Sequence, residues 1–235
     1  DGSTRACVSQ SSDTPLSSGG QTLNGTVADV LDAPCASMLF LRAERAGKAV
    51  WLAIPADAQG VSTERALLAD TTRSIGSVAL NNVSVDSVHI LVPADPVALD
   101  NELLRLAAIA LAADALGGGN AVLVATIEYL KIREQFGRVI GSFQALKHRV
   151  ADHKAALEAA RGLVEFAAGM ESDSPQALLA ALTAKQHVTR IAAEVARDCI
   201  QLHGGVGFTS EYVPHIYLKR AKLNEALFGT RSVLL

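Results

Sequence analysis

The sequence predicts an α+β chain, with a small antiparallel β-sandwich or barrel followed by an antiparallel helical bundle. Three observations carry this. Up to Pro96–Asp100, strand-forming residues come in short runs separated by turn residues. Beyond that point the chain turns to Ala- and Leu-rich runs with helical spacing. Apolar residues make up 49% of the 235 and charged residues 19%, which is enough for a real core and too apolar for a disordered chain.

The elements follow in order. Residues 1–20 are rich in Ser, Thr and Gly without periodicity and read as a flexible segment. Residues 21–98 form the β-domain. Its strand runs are Ser37–Arg42, Ala49–Ile54, Ser77–Leu80, Val83–Val85 and Val88–Val92. Asn24-Gly25 is a hairpin signal, because Asn-Gly tolerates the positive φ of a type I′ turn, and Gly47-Lys48 reads as a second tight connection. Residues 99–235 form the bundle. Leu99–Ile132 is a long helical run interrupted by Gly117-Gly118-Gly119. In Gln144–Ala168 the residues Leu146, Val150, His153, Leu157, Ala160, Val164 and Ala167 alternate steps of four and three, which keeps one helix face inward. Pro175–Leu202 is a third helix, with Ser174 as its N-cap and Gly204 past its end, and Glu211–Leu227 holds a fourth.

Composition excludes several classes. With 21 Lys and Arg against 24 Asp and Glu, the net charge of −3 leaves no footprint for nucleic acid and no basic patch for an anionic membrane. Arg, Asp or Gly interrupts each apolar stretch well before 18 residues, so no transmembrane helix is expected. Cys7, Cys35 and Cys199 are too few and too scattered for a disulfide framework or a CxxC metal site, and they suit a reducing cytoplasm. The chain starts at Asp1 rather than Met, as a fragment or cut chain would, and it lacks the pattern of a signal peptide. His148 and His153 are five apart, which does not set two metal ligands on one helix face. His153 lies on the apolar stripe and reads as a hydrogen-bonded core histidine, while Glu158 and Glu165 read as a solvated face.

Two segments could carry chemistry. Arg133-Glu-Gln135-Phe136-Gly137 sets a cation, an amide, a flat ring and a flexible glycine at a helix end, a combination suited to a phosphate-bearing ligand. Taken alone, it also describes a helix terminus with Arg133 neutralising the dipole and Gly137 turning the chain, which is the commoner outcome. Gln201-Leu-His-Gly204-Gly205-Val-Gly207 would let a ligand approach the backbone, yet alone it also describes a helix stop. It follows a helix and lacks the spacing of a Rossmann fingerprint.

Read together, Tyr129-Leu-Lys-Ile-Arg-Glu-Gln-Phe-Gly137, Phe143-Gln144, Gln201-Leu-His-Gly-Gly-Val-Gly-Phe-Thr209 and Ala226-Leu-Phe-Gly-Thr230 resemble the acyl-CoA dehydrogenase family. The spacing of about 65 residues between the first and third segments fits that family, and the match runs from about residue 20 to 235. The resemblance implies a middle β-domain and a C-terminal helical domain, with the family's N-terminal helical domain absent or cut away and the last helix clipped at Leu235. It implies FAD held across a subunit interface, where one β-domain holds the flavin ring and the neighbour supplies the ADP half. Carried over, Arg133, Gln135, Phe136 and Gln144 would face the pyrophosphate and adenosine, and Gln201, Gly204 and Gly205 would complete that site. No metal is implied.

The departures are informative. The family's reaction needs a carboxylate base, usually the Glu of Tyr-Glu-Gly-Thr, and here Phe228 occupies that position. In some members the base lies 26 residues before the flavin arginine, which here is Ala107, with Glu102 and Arg105 nearby but out of register. The Trp-x-Thr/Ser segment that backs the flavin ring is replaced within Val27–Pro34. The chain is thus similar to a non-catalytic subunit of a heteromeric enzyme like those actinobacteria use to shorten steroid side chains. A catalytic acyl-CoA dehydrogenase partner in an α₂β₂ heterotetramer would bring the base, the ring pocket and most of the acyl-CoA site. Two alternatives stay open, a homomeric enzyme with a relocated base such as Glu102 and a flavin-free structural subunit.

Overall fold

The computed structural model describes residues 4–9, 17–18, 21–45, 48–209 and 211–229. The chain divides into two compact units, Asp1–Asp100 and Asn101–Leu235.

The first unit holds eight described strands: β1 (Ala6–Val8), β2 (Ser17–Ser18), β3 (Thr22–Leu31), β4 (Met38–Arg45), β5 (Lys48–Pro55), β6 (Val61–Arg65), β7 (Ile75–Ser84) and β8 (His89–Leu91). One sheet has the order β1-β4-β5-β8 and the other β2-β3-β7-β6, with every pairing antiparallel except β1 with β4. Alternation sets the core face. In β4 the buried Leu39, Leu41 and Ala43 lie opposite Ile54, Leu52 and Val50 of β5, which are buried as well. Val27, Val30, Val78 and Val83 of the other sheet join the same apolar cluster, as a sandwich requires.

Several expectations are corrected here. Asn24-Gly25 makes no hairpin. It lies inside β3, where Gly25 has a φ of 147° and the register with β7 shifts between Leu23 and Gly25, so the glycine serves a bulge. The two runs at Ser77–Leu80 and Val83–Val85 are one strand, β7, continued through Asn81 and Asn82. The Asn82 backbone N–H donates to Asn24 Oδ1 at 2.8 Å. Gly47 lies outside the described residues, and the flanking strands pair as far as Arg45 opposite Lys48.

The second unit holds α1 (Pro96–Ile132) from Asn101 onward, the short strands β9 (Glu134–Gln135) and β10 (Arg138–Val139), α2 (Gln144–Ala168), α3 (Ala177–His203) and α4 (Pro214–Ala226). The core between the helices is built largely of alanine, including Ala112, Ala160, Ala184, Ala192 and Ala196. Such small residues let helices approach closely. The Gly117–Gly119 run does not interrupt α1. A Cβ on Gly119 would stand 2.8 Å from Leu157 Cδ2, so the glycine admits α2 at close range. The predicted α2 stripe faces inward, with Leu157, Ala160 and Ala167 fully buried. Ser174 does not cap α3. Its hydroxyl donates to Gln176 Oε1 at 3.1 Å, and Gln176 holds the N-cap position without a side-chain cap bond.

By length and composition α1 is apolar enough to cross a membrane, contrary to the sequence-based expectation, which counted single charges and glycines as interruptions. In this fold 44% of its most apolar window is buried within the protein. Asp114 of α1 accepts from Arg220 Nε at 2.9 Å and from Asn224 Nδ2 at 2.6 Å, which fastens α4 across it.

Candidate functional site

The end of α1 runs into a hairpin, not the open loop its composition predicts. Arg133 N–H donates to Tyr129 O at 2.9 Å, and Ile140 N–H donates back to Arg133 O at 2.7 Å. Between them β9 and β10 pair Gln135 with Arg138 and Glu134 with Val139. The turn is Phe136-Gly137, with φ of 55° and 74°, the sign of φ that a two-residue type I′ hairpin needs at both positions. Glycine accepts this freely, whereas phenylalanine is strained there. The Phe136 ring is 91% exposed, yet it is not isolated. It meets Phe143 edge-on at 6.2 Å, and the Arg138 guanidinium lies 4.0 Å over the Phe143 ring. Arg133 and Gln135 are exposed at the base of the hairpin, and exposed Gln144 opens α2 with Nε2 3.4 Å from His148 Nε2.

The end of α3 makes the second half. Gly204 holds the C-cap at φ 64° and ψ −143°, a conformation only glycine adopts readily. A Cβ at Gly204 or Gly205 would meet nothing within 4 Å, whereas one at Gly207 would stand 2.4 Å from Ile200 O. Gly207 is therefore required by packing, and the Gly204-Gly205 backbone is open to an approaching ligand.

An aromatic cluster joins these two ends. Tyr129, one helical turn before Arg133, stacks on His203 at 4.4 Å and donates to His203 O at 3.3 Å. Tyr212 meets both rings edge-on, at 5.7 and 5.6 Å. His203 Nδ1 lies 2.8 Å from Cys199 O, so that nitrogen carries the proton and the ring is fixed. The structure thus brings the Arg133 hairpin and the Gln201–Gly205 turn to one end of the bundle. Sequence reasoning quoted Tyr129 and His203 but gave them no role. The available signal was their place beside the two motifs.

Beside Gln201 lies a cavity of about 590 Å³ lined by Arg149, His153, Asp198, Gln201 and Phe208 among others. Asp198 accepts from Arg149 Nε at 3.1 Å, from Arg149 Nη2, and pairs with His153 Nε2 at 2.7 Å. Burial alone would raise the Asp198 pKa. The Arg149 and His153 hydrogen bonds outweigh it and hold the carboxyl below its ordinary value. His153 is accordingly a half-buried, hydrogen-bonded residue of the stripe. Glu158 lies exposed and pairs with Lys154 and Arg161.

A second Phe-Gly turn follows α4. Phe228 has a φ of 54° and Gly229 one of 94°. Beneath it lies Lys185, 1% exposed, whose Nζ donates to Gly229 O at 2.5 Å and to Glu225 O at 3.3 Å. Burial pulls the lysine pKa down to about 8. Glu102 is committed to Arg105 through two bonds of 2.7 and 2.8 Å, and the Arg105 hydrogen bond lowers its pKa. In Val27–Pro34 the valines Val27 and Val30 are core, and Asp29 and Asp32 take positive φ. The Trp51 ring is buried in β5. Among the described residues no cluster of three His, Cys, Asp or Glu could hold a metal ion.

Residues 97–235 match the model of the acyl-CoA dehydrogenase C-terminal domain. Over 127 residues the chain is 44% identical to acyl-CoA dehydrogenase IpdE2 of Mycobacterium tuberculosis, covering 54% of this chain and 38% of that protein. Over 202 residues it is 33% identical to acyl-CoA dehydrogenase FadE34 of the same organism, covering 85% of this chain and 27% of that protein. It therefore spans well under half the length of these relatives. Among solved structures, the steroid ACAD Tcur3481-Tcur3483 superposes with a TM-score of 0.77 at 31% identity, over 97% of this chain and 59% of that one.

Proposed function

Because the chain belongs to the acyl-CoA dehydrogenase family, we propose that it is the non-catalytic subunit of a heteromeric, FAD-dependent enzyme that forms the α,β double bond of an acyl-CoA thioester. Its part is the ADP half of the flavin site. A catalytic acyl-CoA dehydrogenase partner in an α₂β₂ heterotetramer brings the base, the ring pocket and most of the acyl-CoA site. The likeness to a steroid ACAD supports a steroid side-chain CoA ester as the acyl group. Three free cysteines support a reducing, cytoplasmic setting.

The residues present fit the flavin's ADP half. Arg133 is exposed and would offer its guanidinium N–H groups to the pyrophosphate. Gln135, Gln144 and Gln201 are exposed amides that can hydrogen-bond it or the ribose. Phe136 offers a ring face, and the open Gly204-Gly205 backbone admits close approach. When bound, the flavin supplies hydride acceptance for the family reaction. This chain's residues bind and orient it and move no proton.

One observation carries the reading. At the position where the family places its carboxylate base, this chain has Phe228, in a turn clamped from below by Lys185. A phenyl ring accepts no proton. Glu102, the nearest relocated candidate, is held by Arg105. The test is flavin retained by the assembled complex after gel filtration. Arg133→Ala should weaken retention by about 1.5–3 kcal/mol, the size of a charge-assisted phosphate contact, and Gln201→Ala should do less. Full flavin occupancy in both variants and in their double would overturn the assignment.

A further inference from the structure

We propose that the first unit carries a binding site for a phosphate or pyrophosphate group, in a cavity of about 460 Å³ where Arg5, Arg65 and Arg73 converge with Thr71 and Thr72. The proposal uses none of the residues assigned above to the ADP half of the flavin and stands or falls separately from them.

The three arginines come from three separate segments. Arg5 precedes β1, Arg65 ends β6, and Arg73 lies in the connection to β7. Among the described residues that line the cavity, Asp32 carries the one negative charge, beside the guanidiniums of Arg5, Arg65 and Arg73. The exposed guanidiniums of Arg5 and Arg65 favour an anionic occupant of the space they line. Guanidinium forks and hydroxyl groups are the donors that phosphate oxygens match best.

The fold holds these donors in place with bonds that leave guanidinium N–H groups of Arg65 and Arg5 to spare. Arg5 is fixed through its backbone, since its N–H donates to Ser37 Oγ at 2.9 Å and its carbonyl accepts from Ser37 N–H at 2.8 Å and Met38 N–H at 3.0 Å. Among the described residues Arg65 gives Nε to Ser74 Oγ, at 3.2 Å. Ser74 is itself buried, and its carbonyl accepts from Asp32 N–H at 2.7 Å. Buried Asp70 accepts from the Thr72 N–H and hydroxyl at 2.8 and 2.6 Å, which braces the segment that presents Thr71 and Arg73. Asp32 is held at φ 59°, a strained value for a non-glycine residue at the rim of the cavity. The volume exceeds what one phosphate fills, so a nucleoside diphosphate is accommodated as well as an inorganic anion.

The test is calorimetric titration of the full chain with inorganic pyrophosphate and, separately, with ADP at physiological salt. Saturable binding is expected with at least one probe. Arg5→Gln and Arg65→Gln, both surface residues, should each weaken it about tenfold, as loss of one charge-assisted contact does. Arg161→Gln, on α2, should leave it unchanged. Amide resonances of Thr71 and Thr72 should shift during the titration, which separates a local site from a folding defect. Because the proposed flavin site would also take ADP, the comparison is read at Thr71 and Thr72: saturation of their shifts at lower ADP than pyrophosphate would identify a nucleotide site here, and saturation at equal concentration a site for the phosphoryl groups alone. Lack of saturation with both probes, or equal weakening in Arg161→Gln and Arg65→Gln, would overturn the proposal.

Discussion

Phe136-Gly137 and Phe228-Gly229 are two turns with nearly the same backbone and opposite surroundings. The φ pairs are 55° and 74° in the first and 54° and 94° in the second. Each places a phenylalanine where that residue is strained, at about 1–3 kcal/mol. The first turn projects its ring almost wholly into solvent at the tip of a six-residue hairpin, next to open glycines. The second is half-buried and clamped by a buried lysine that bonds the carbonyl of its own Gly229 and that of Glu225 before it. Strain that internal packing holds in place serves the fold. The exposed ring has little packing of its own beyond its edge contact with Phe143, and this fits the proposed role of the first turn as a surface for a flavin.

Breaking the clamp has the largest expected effect. Lys185→Ala leaves two carbonyls without their donor and a cavity behind it, and it should destabilise the chain by about 3 kcal/mol in urea unfolding. The pH dependence sharpens this. The lysine titrates near 8 when folded and near 10.5 when unfolded, so between those values the unfolded state binds more protons. Its contribution to stability therefore rises with pH across that window, and Lys185→Ala should flatten the rise. An unchanged slope would show that the lysine is not held as described.

The exposed turn should respond in the opposite sense. Phe136→Gly relieves backbone strain and should stabilise the isolated chain by up to about 1 kcal/mol. In the assembled complex the same change should lower flavin retention. If it lowers both, the ring is packing against its own chain. The smallest effect is expected at the other phenylalanine. Phe228→Ala should leave turnover of the complex within a few-fold, whereas removal of a true general base costs about 10²–10⁴-fold. A loss of that size in folded, flavin-loaded protein would mean that the site has been misassigned.

What was legible in the sequence follows the range of the interactions. The α2 stripe could be read because helix periodicity is local, and it faces the core as spaced. Arg133, Gln135 and Phe136 could be singled out because their residue types fit a phosphate ligand. That they form a hairpin was not apparent, since strands two residues long leave no periodic signal. Glycines misled in two places. Gly25 serves a bulge inside a strand, and Gly119 makes room for Leu157, and both reasons lie in partners distant in sequence. The Tyr129–His203 stack and the Lys185 clamp escaped for the same cause, since each joins residues more than forty positions apart. The arginine-lined cavity likewise gathers three segments whose proximity no local pattern announces.

The central claim is that this chain donates the ADP half of a flavin site which only an unlike partner can complete. Native mass spectrometry with flavin quantification, on the chain co-expressed with its partner from the native host, tests this most directly. The account predicts an α₂β₂ heterotetramer carrying two flavins. Four flavins per tetramer, or a stable and active homotetramer of this chain alone, would contradict it.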